Sequence, residues 1–294
     1  MLSVLIPTYK YDVSGLVAEV HRQCIEAQIA FEIIVLDDAS GDFLSQNNRI
    51  NDLEHCFFDV LPNNIGRSKI RNLLASKAQF DWLLFLDSDT FPMRNDFIAV
   101  YVSAMAQGLK AINGGIRYQS EKPQKRKMLR WTYGKDREAL HADARQKNPY
   151  LSFLSLNFVI PKSLFERVAF DETLPNLRHE DTVFSYQMKQ KAIPVRHIDN
   201  PVYHLGLDDF DLMLKKEQEA LSALKQLLDT GKISNDYVKM GEYYRFLKKT
   251  HLDFFVRNFF KLTRKSLLSD ISKPQPSLFW YDVYRIGYLC SIPD

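Results

Sequence analysis

Apolar and polar positions in the first third of the chain follow two alternating periods. Apolar runs of strand length occur at residues 2–6, 31–36, 56–61 and 82–86. Between these predicted strands, apolar residues recur every three or four positions, which predicts the buried face of a helix. The first such helix begins near Ser14, and its predicted buried face consists of Leu16, Val17, Val20, Cys24 and Ile25. Strands that alternate with helices indicate the α/β class, with a mostly parallel sheet flanked by helices.

After about residue 110 the pattern is less regular. The later strands and a short helix are predicted at 111–116, 152–160 and 180–191. The first of these strands is interrupted by Gly114-Gly115. Beyond residue 208 the apolar spacing is helical. We therefore predict an α/β domain over residues 1–207 and a helical C-terminal extension over residues 208–294.

Charge and cysteine content indicate which classes of partner and which cellular compartment the protein has. The chain has 39 Lys+Arg and 36 Asp+Glu, a formal charge of +3, and this balance argues against a nucleic-acid partner. Cys24, Cys56 and Cys290 form no C-x-x-C pair, which indicates a reducing compartment. The apolar residues at the start are interpreted as a strand and not as a signal peptide, and no run approaches a membrane span. The predicted location is the cytoplasm, either in solution or peripherally at the inner face of the membrane.

The segment at 251–268 has two interpretations. It places Phe254, Phe255, Phe259 and Phe260 among basic residues, a composition typical of a helix that lies on an anionic membrane. A helix that packs through its aromatic residues and exposes a basic face has the same composition. We favour the packed helix, because most apolar stripes belong to a core.

Polar residues follow three of the predicted strands. The first strand is followed by Pro7-Thr8-Tyr9, the second by Asp37-Asp38 and the fourth by Asp87-Ser88-Asp89. Ligands of open α/β sheets bind at the carboxyl ends of the strands, so these residues are expected to lie near one another. If Asp87 and Asp89 continue their strand, both side chains point the same way. Adjacent carboxylates repel each other unless a cation is present, and hard divalent ions prefer oxygen ligands.

In this order the motifs resemble those of the family 2 inverting glycosyltransferases, which have the nucleotide-diphospho-sugar transferase (GT-A) fold. The resemblance covers roughly residues 2–207 and rests on Ile6-Pro7-Thr8-Tyr9, Asp37-Asp38-Ala39-Ser40, Asn64-Ile65-Gly66 with Arg71-Asn72, Phe85-Leu86-Asp87-Ser88-Asp89, Gly114-Gly115 and His179-Glu180-Asp181. It implies a Rossmann-like sheet and a hexosyltransferase. Such an enzyme moves a sugar from a nucleoside diphosphate, with UDP as the first candidate, to the hydroxyl of a glycan or lipid-linked acceptor.

The resemblance also implies roles for individual residues. The residues implied to contact the nucleotide sugar are Pro7, Thr8, Tyr9, Asp37, Asp38, Asn64, Gly66, Arg67, Arg71, Asp87 and Ser88. Asp89 is implied to hold a divalent cation, Mn²⁺ or Mg²⁺, with His204 as a further ligand. Asp181, in preference to Glu180, is implied to be the base that deprotonates the acceptor. One in-line displacement then inverts the anomeric centre.

Each of these residues also has a purely structural interpretation. Asp37-Asp38 can cap a turn, Asn64-Ile65-Gly66 can precede a helix, and Arg71 can be a solvated helix residue. Glu180-Asp181 can be favoured at a helix start by the helix dipole alone. His204 can be a hydrogen-bonded loop residue.

Other classes of function fit the same residues less well. A nucleotidyltransferase has a related sheet, but it carries a Gly-rich basic loop where this chain has Pro7-Thr8-Tyr9-Lys10-Tyr11. A non-catalytic sugar-nucleotide-binding protein needs neither Asp89 nor Asp181. A processive synthase has a Q-x-x-R-W motif after the base, whereas Arg130-Trp131 precedes Asp181 in this chain, so processive synthesis is disfavoured.

Overall fold

Strands and helices alternate along the first half of the chain, as the hydrophobic pattern predicts. The computed structural model describes residues 1–174 and 178–293. The strands are β1 (Leu2–Thr8), β2 (Phe31–Asp37), β3 (Cys56–Val60), β4 (Trp82–Leu86), β5 (Thr90–Pro92), β6 (Ala111–Asn113), β7 (Ile116–Arg117), β8 (Asn157–Pro161), β9 (Val195–His197) and β10 (Val202–His204). The α-helices are α1 (Ser14–Glu26), α2 (Leu44–Asn48), α3 (Arg67–Lys77), α4 (Phe97–Ala106), α5 (Met128–Tyr133), α6 (Ala142–Gln146), α7 (Lys162–Val168), α8 (Glu180–Gln190), α9 (Phe210–Asp229), α10 (Lys239–Lys249), α11 (Asp253–Ile271) and α12 (Leu278–Ser291).

The main sheet has seven strands in the order β3-β2-β1-β4-β8-β6-β9. Strands β3, β2, β1 and β4 run parallel to one another, and β8 is antiparallel to both β4 and β6. Strands β5, β10 and β7 form a second, three-stranded sheet. The predicted class, a mostly parallel sheet flanked by helices with helices at the C-terminal end, is confirmed. The carboxyl ends of β1, β2 and β4 therefore share one edge, where ligands of such sheets bind.

The central strands are buried because they are apolar on both faces. Residues of β2 are all buried, and the charged side chain near its start, Glu32, accepts a 2.5 Å hydrogen bond from buried Ser3 on β1. A cluster of aromatic side chains fills the core beside β4 and β8, and its members are Phe85, Phe153, Phe158, Phe165, Phe170 and Phe184. This core supports the residues that follow β4 and the start of α8.

Two details of the predicted pattern are wrong. Ile25 is 51% exposed, because it lies ~100° around the α1 helix from buried Cys24, at the edge of the apolar face. The strand predicted at 152–160 begins only at Asn157. Buried Asn157 accepts a 2.7 Å hydrogen bond from Tyr101 and donates to the carbonyls of Gly115 and Asn200, which anchors the strand at that residue.

The Gly114-Gly115 break between β6 and β7 has a steric reason. A Cβ on Gly114 would lie 2.4 Å from the Asn200 carbonyl, and a Cβ on Gly115 would lie 2.6 Å from the Arg145 guanidinium. Gly115 also has a φ of +79°, which favours glycine. Arg145 is almost fully buried and donates to the carbonyls of Gly114 and Ile198, so the buried guanidinium beside the two glycines is hydrogen-bonded.

The chain divides into two compact units. The first consists of Met1–Arg117, Ala139–Asn176 and Glu180–Gly206, and the second of Tyr118–Glu138, Leu177–His179 and Leu207–Asp294. Both sheets belong to the first unit. The predicted division at residues 207 and 208 stays a prediction about domains.

The second unit is helical and has a core of its own. The buried members of that core are Leu129, Met213, Phe260, Leu267, Ile271, Tyr281 and Tyr284. Within the unit, Glu217 of α9 accepts hydrogen bonds from Arg285 at 2.6 Å and from Tyr281 at 2.9 Å, both on α12. In the part of the chain that the structure describes, no helix is both long and apolar enough to cross a bilayer.

Candidate active site

The turn after β2 uses one of its two aspartates for its own structure. Thr8 and Asp37 are paired across β1 and β2, and the next amide, that of Asp38, donates to the Thr8 carbonyl at 2.9 Å. The fully buried carboxylate of Asp37 accepts from the Ser40 amide at 2.6 Å and from the Ser40 hydroxyl at 2.7 Å. Asp37 therefore caps the turn, which is the structural interpretation of this residue.

Asp38 ties this turn to the loop before α3. Its carboxylate is 5% exposed and accepts from the amides of Ile65 at 2.7 Å and Gly66 at 2.9 Å, while the Asn64 side chain donates to the Asp38 carbonyl at 3.0 Å. Gly66 has a φ of +85°, a conformation that favours glycine. Asp38, Asn64 and Gly66 thus set the position at which α3 begins, at the edge that carries the predicted nucleotide site.

The first strand contributes one buried and one exposed side chain to the same edge. Thr8 is buried and its hydroxyl donates to the Tyr11 carbonyl at 3.4 Å, and Pro7 precedes it as a half-buried strand residue. Tyr9 is 51% exposed. Of the three residues predicted to border the nucleotide, Tyr9 therefore offers the largest accessible surface.

The residues Asp87, Ser88 and Asp89 form a turn and do not continue the strand, which ends at Leu86. The Thr90 amide and hydroxyl both donate to the Asp87 carbonyl, at 3.2 and 2.7 Å, and close the turn. The strand-like alternation considered for this pair is therefore wrong. The two carboxylates contact different partners, which reduces the repulsion between them.

Asp87 belongs to a network of buried ion pairs. Arg71 of α3 is 3% exposed, and its Nη2 donates to Asp87 Oδ1 at 2.6 Å. Its other terminal nitrogen, Nη1, lies 3.7 Å from Glu180 Oε1 at the start of α8. Glu180 also accepts from Arg67 at 3.2 Å. Arg71 is thus a buried bridge between the end of β4 and the start of α8, and not the solvated helix residue of the alternative interpretation.

Asp89 pairs with His204. The Asp89 Oδ2 and His204 Nε2 atoms are 3.2 Å apart, and the Leu205 amide donates to the Asp89 carbonyl at 2.8 Å. His204 reaches this position because β10 pairs with β5 in a register that sets it opposite Thr90. A Cβ on Gly206 would lie 1.9 Å from Asp89 Oδ2, so only glycine permits this arrangement.

Asp181 and Glu180, at the start of α8, have pKa values shifted from those of exposed carboxyl groups. Burial, and then the charge of neighbouring Glu180, raise the pKa of Asp181 to about 6, although its carboxylate accepts from the Thr182 amide at 2.7 Å. For Glu180, burial alone would raise the pKa. The charges of Arg67 and then Arg71 outweigh burial and hold the pKa of Glu180 below its ordinary value. Two adjacent carboxylates thus have pKa values shifted in opposite directions, as in many acid–base sites.

The pair formed by Asp89 and His204 fits a divalent cation. A carboxylate oxygen and an imidazole nitrogen at this separation can both bind one ion. Over residues 1–174 and 178–293, no group of three or more His, Cys, Asp or Glu side chains converges. A Mg²⁺- or Mn²⁺-type ion commonly completes its shell with water and substrate phosphate, so two protein ligands are chemically sufficient.

Two residues of the site were not predicted from the sequence. The sequence indicates Glu180 only as a helix-start residue or a weaker candidate base, and its pairing with Arg67 and Arg71 has no local signal. Gly206 has no signal either, because its constraint is the side chain of Asp89, which is distant in sequence. The other predicted site residues lie at or just after the carboxyl ends of β1, β2 and β4, in α3 and the loop before it, at the start of α8 and at the end of β10.

Comparison with known proteins agrees with this geometry. A model of glycosyl transferase family 2 matches residues 3–173. An uncharacterized glycosyltransferase of Haemophilus influenzae is 28% identical over 193 residues, which is 63% of this chain and 70% of that protein.

Solved structures share the fold at lower identity. Staphylococcus aureus TarS 1-349 in complex with UDP has a TM-score of 0.52 and 18% identity, covering 99% of this chain and 90% of TarS 1-349. Mannosyl-3-phosphoglycerate synthase of Rubrobacter xylanophilus has a TM-score of 0.57 and 16% identity, covering 80% of this chain and 76% of the synthase. The mannosyltransferase PcManGT of Pyrobaculum calidifontis, in complex with GDP-Man and Mn²⁺, has a TM-score of 0.53 and 16% identity, with coverages of 78% and 64%.

The sheet topology is that of the GT-A fold, and the family model and the Haemophilus influenzae relative make the chain a glycosyltransferase. The chain belongs to glycosyl transferase family 2, whose model spans more than half of its length.

Proposed function

We propose that this glycosyltransferase is inverting and non-processive and that it moves a sugar from a nucleoside diphosphate, UDP first among the candidates, to the hydroxyl of a glycan or lipid-linked acceptor. The observation that carries the proposal is the Arg71 bridge. It connects Asp87, two residues before the candidate metal ligand Asp89, with Glu180, which adjoins the candidate base Asp181. The donor and base halves of the site are therefore linked by one buried cation. We assign this activity to the α/β domain of residues 1–207.

The proposed donor site lies at the start of α3. A helix N-terminus attracts phosphate through its free amides and its dipole. Arg67 is the first residue of α3, and its side chain is half exposed, so it can contact a diphosphate as well as Glu180. The structural relatives TarS and PcManGT are complexes with UDP and GDP-Man, which supports a nucleotide-sugar donor here.

The proposed cation ligands are Asp89 and His204. The ion, when bound, supplies positive charge that offsets the charge on the departing diphosphate. Arg67 and Arg71 add fixed positive charge to the same edge. The Mn²⁺ in the PcManGT complex supports a divalent cation in this fold.

Asp181 is proposed to take the proton of the acceptor hydroxyl. The acceptor oxygen forms a bond to the anomeric carbon as the bond from that carbon to the diphosphate oxygen breaks, and the hydroxyl proton passes to Asp181. A base with a pKa of about 6 is charged at neutral pH yet basic enough to accept a proton in the transition state. A single displacement on an α-linked donor gives a β-linked product.

The test uses hydrolysis of a panel of UDP- and GDP-sugars, with water as the acceptor and Mn²⁺ present. Asp181→Asn is expected to lower turnover by ~100-fold or more while UDP binding in calorimetry is retained. Asp89→Asn is expected to abolish the Mn²⁺ dependence of UDP binding. Asp52→Asn, at an exposed aspartate outside the site, is the matched control and should change neither quantity.

Time-resolved NMR shows which anomer of the sugar is released first, and therefore whether the reaction inverts or retains the anomeric configuration. Initial release of the β-sugar from an α-linked donor supports inversion, and initial release of the α-sugar would refute it. A wild-type protein with neither donor turnover nor Mn²⁺-dependent UDP binding would refute the proposal as a whole.

A further inference from the structure

An apolar surface is exposed on two helices of the second unit. Phe255 is 65% exposed and Leu262 is 87% exposed on α11, and Phe279 is 65% exposed on α12. Together with their apolar neighbours on the same faces they form what we term the aromatic ridge, which consists of Phe255, Phe259 and Leu262 of α11 and Phe279, Val283 and Ile286 of α12. In each helix the spacing is three or four residues, so the side chains lie along one face.

A groove of about 310 Å³ lies between the two helices at this ridge. Its lining includes Phe255 and Phe259 of α11 and Val283 and Ile286 of α12. The helices approach closely here because position 287 is glycine, where a Cβ would lie 2.6 Å from the Phe260 ring. Exposed apolar patches of this kind mark interaction sites, because a monomer gains nothing by exposing them to water.

The segment at 251–268 has both buried and exposed aromatic side chains, so each of its two interpretations accounts for one part of α11. Phe260, Leu267 and Ile271 pack into the helical core, as the favoured interpretation expects. Phe259 and Phe255, in contrast, are at least half exposed and lie ~100° and ~140° around α11 from Phe260. The helix therefore has a buried apolar stripe and, beside it along the groove, apolar side chains that are largely exposed.

The charge around the ridge is positive. Residues 239–293 contain ten Lys or Arg and four Asp or Glu, whereas the whole chain has a formal charge of only +3. Lys261 and Lys265 are exposed on α11 and lie ~100° and ~60° from Leu262 around the helix, along one flank of the ridge. Basic residues beside apolar ones complement an anionic membrane surface, since the lysine side chains reach phosphate groups while the rings enter the acyl boundary.

We propose that the aromatic ridge and its lysine flank bind an anionic phospholipid bilayer, with α11 lying in the plane of the interface. The inference is independent of the donor chemistry proposed above, because it rests on residues 239–293 only. Phenylalanine and leucine supply apolar burial, and the lysines supply selectivity for anionic lipid.

Vesicle flotation of the full chain tests the proposal. Vesicles of equal parts phosphatidylglycerol and phosphatidylcholine are compared with vesicles of phosphatidylcholine alone. Wild-type protein is expected to float with the anionic vesicles and to be released by high salt. Phe255→Ser with Phe259→Ser is expected to weaken partitioning at least ~10-fold, since each exposed ring that enters the interface contributes about fivefold. Lys261→Gln with Lys265→Gln is expected to weaken it by about fivefold per lysine.

Controls separate the ridge from general effects. Phe57→Ser removes an equally exposed phenylalanine from β3 in the first unit and should leave flotation unchanged. Circular dichroism confirms that each variant is folded, and Leu262→Ser, at a side chain that is almost fully exposed, gives a second test if the double variant is not. UDP-sugar hydrolysis in solution should be the same for wild-type and ridge variants, so failure of the membrane proposal is distinguishable from failure of the donor proposal.

Three outcomes would overturn the inference. The first is no flotation of wild-type protein with anionic vesicles. The second is flotation that the phenylalanine variants retain, which would leave charge alone as the cause. The third is that wild-type protein does not bind vesicles but forms a concentration-dependent dimer in sedimentation, and that the ridge variants abolish this dimer. That result would assign the ridge to contact with a second copy of the chain.

Discussion

Replacement of Arg71 by methionine tests the buried bridge most directly. Methionine retains apolar packing near the Phe170 ring, which the guanidinium carbon contacts at 5.4 Å, and removes the charge. The bonds lost are those to Asp87 at 2.6 Å and to Glu180 at 3.7 Å. Removal of one partner from a buried ion pair costs about 3–5 kcal/mol, because the remaining charge is left without compensation.

Two features of the site place the expected loss at the low end of that range. Glu180 keeps Arg67 at 3.2 Å, and Asp87 is 30% exposed, so water can solvate it. We expect Arg71→Met to lower the free energy of unfolding by about 3 kcal/mol, a large share of the ~5–15 kcal/mol typical of a folded protein. Urea denaturation followed by circular dichroism measures this change.

The loss should depend on pH with a predictable sign. Without Arg71, the pKa of buried Glu180 rises, since burial is no longer outweighed by two cations. A carboxyl whose pKa is raised in the folded state loses stability as pH rises through that pKa. The destabilisation by Arg71→Met should therefore be larger at about pH 8 than at about pH 5.

Matched variants test whether the burial of Arg71 causes the loss of stability in Arg71→Met. Arg67→Met removes a half-exposed arginine from the same carboxylate and should cost less than Arg71→Met, because it leaves Asp87 paired with Arg71 and Glu180 beside Arg71. Adding Glu180→Gln to Arg71→Met should recover part of the loss, because the uncompensated charge is gone. Equal losses for the Arg67 and Arg71 variants, or a double variant that is worse than the sum of its parts, would refute the reasoning.

Two further predictions concern the metal and base positions. Gly206→Ala places a Cβ 1.9 Å from Asp89 Oδ2 and must displace that carboxylate, so Mn²⁺-dependent UDP binding in calorimetry should weaken ~10-fold or more. The control Gly15→Ala, with no atom within 4 Å of its added Cβ, should not change this binding. Unchanged binding by the Gly206 variant would exclude Asp89 as a ligand. Turnover should rise with pH through about 6 as Asp181 loses its proton, and Asp181→Asn should remove this limb. Since the pKa of Asp181 is raised from about 3.8 to about 6, ionisation of this carboxyl destabilises the fold by up to ~3 kcal/mol at about pH 8. Asp181→Asn should therefore be more stable than wild type at about pH 8 and equal to it below about pH 4. A variant no more stable than wild type at about pH 8 would contradict the raised pKa.

The sequence alone determined the α/β class and the edge at which the site lies. Both follow from local patterns, because hydrophobic periodicity distinguishes strands from helices and parallel strands must end at one edge. For the same reason, the polar residues after β1, β2 and β4 are expected at one edge of the sheet, whereas the order that makes β2, β1 and β4 neighbours belongs to the tertiary structure. Family motifs then implied roles for those residues that periodicity cannot provide.

The tertiary structure alone decided which partner each of these side chains has. Asp37 caps its own turn, while Arg71 reaches both Asp87 and Glu180, and the latter lies far away in sequence. Such pairings depend on the angles at which helices and strands pack, and no local pattern encodes those angles. The same holds for α11, in which composition predicts an aromatic, basic helix. Only packing against α12 shows that Phe260 is buried while Phe255 and Phe259 remain exposed to solvent.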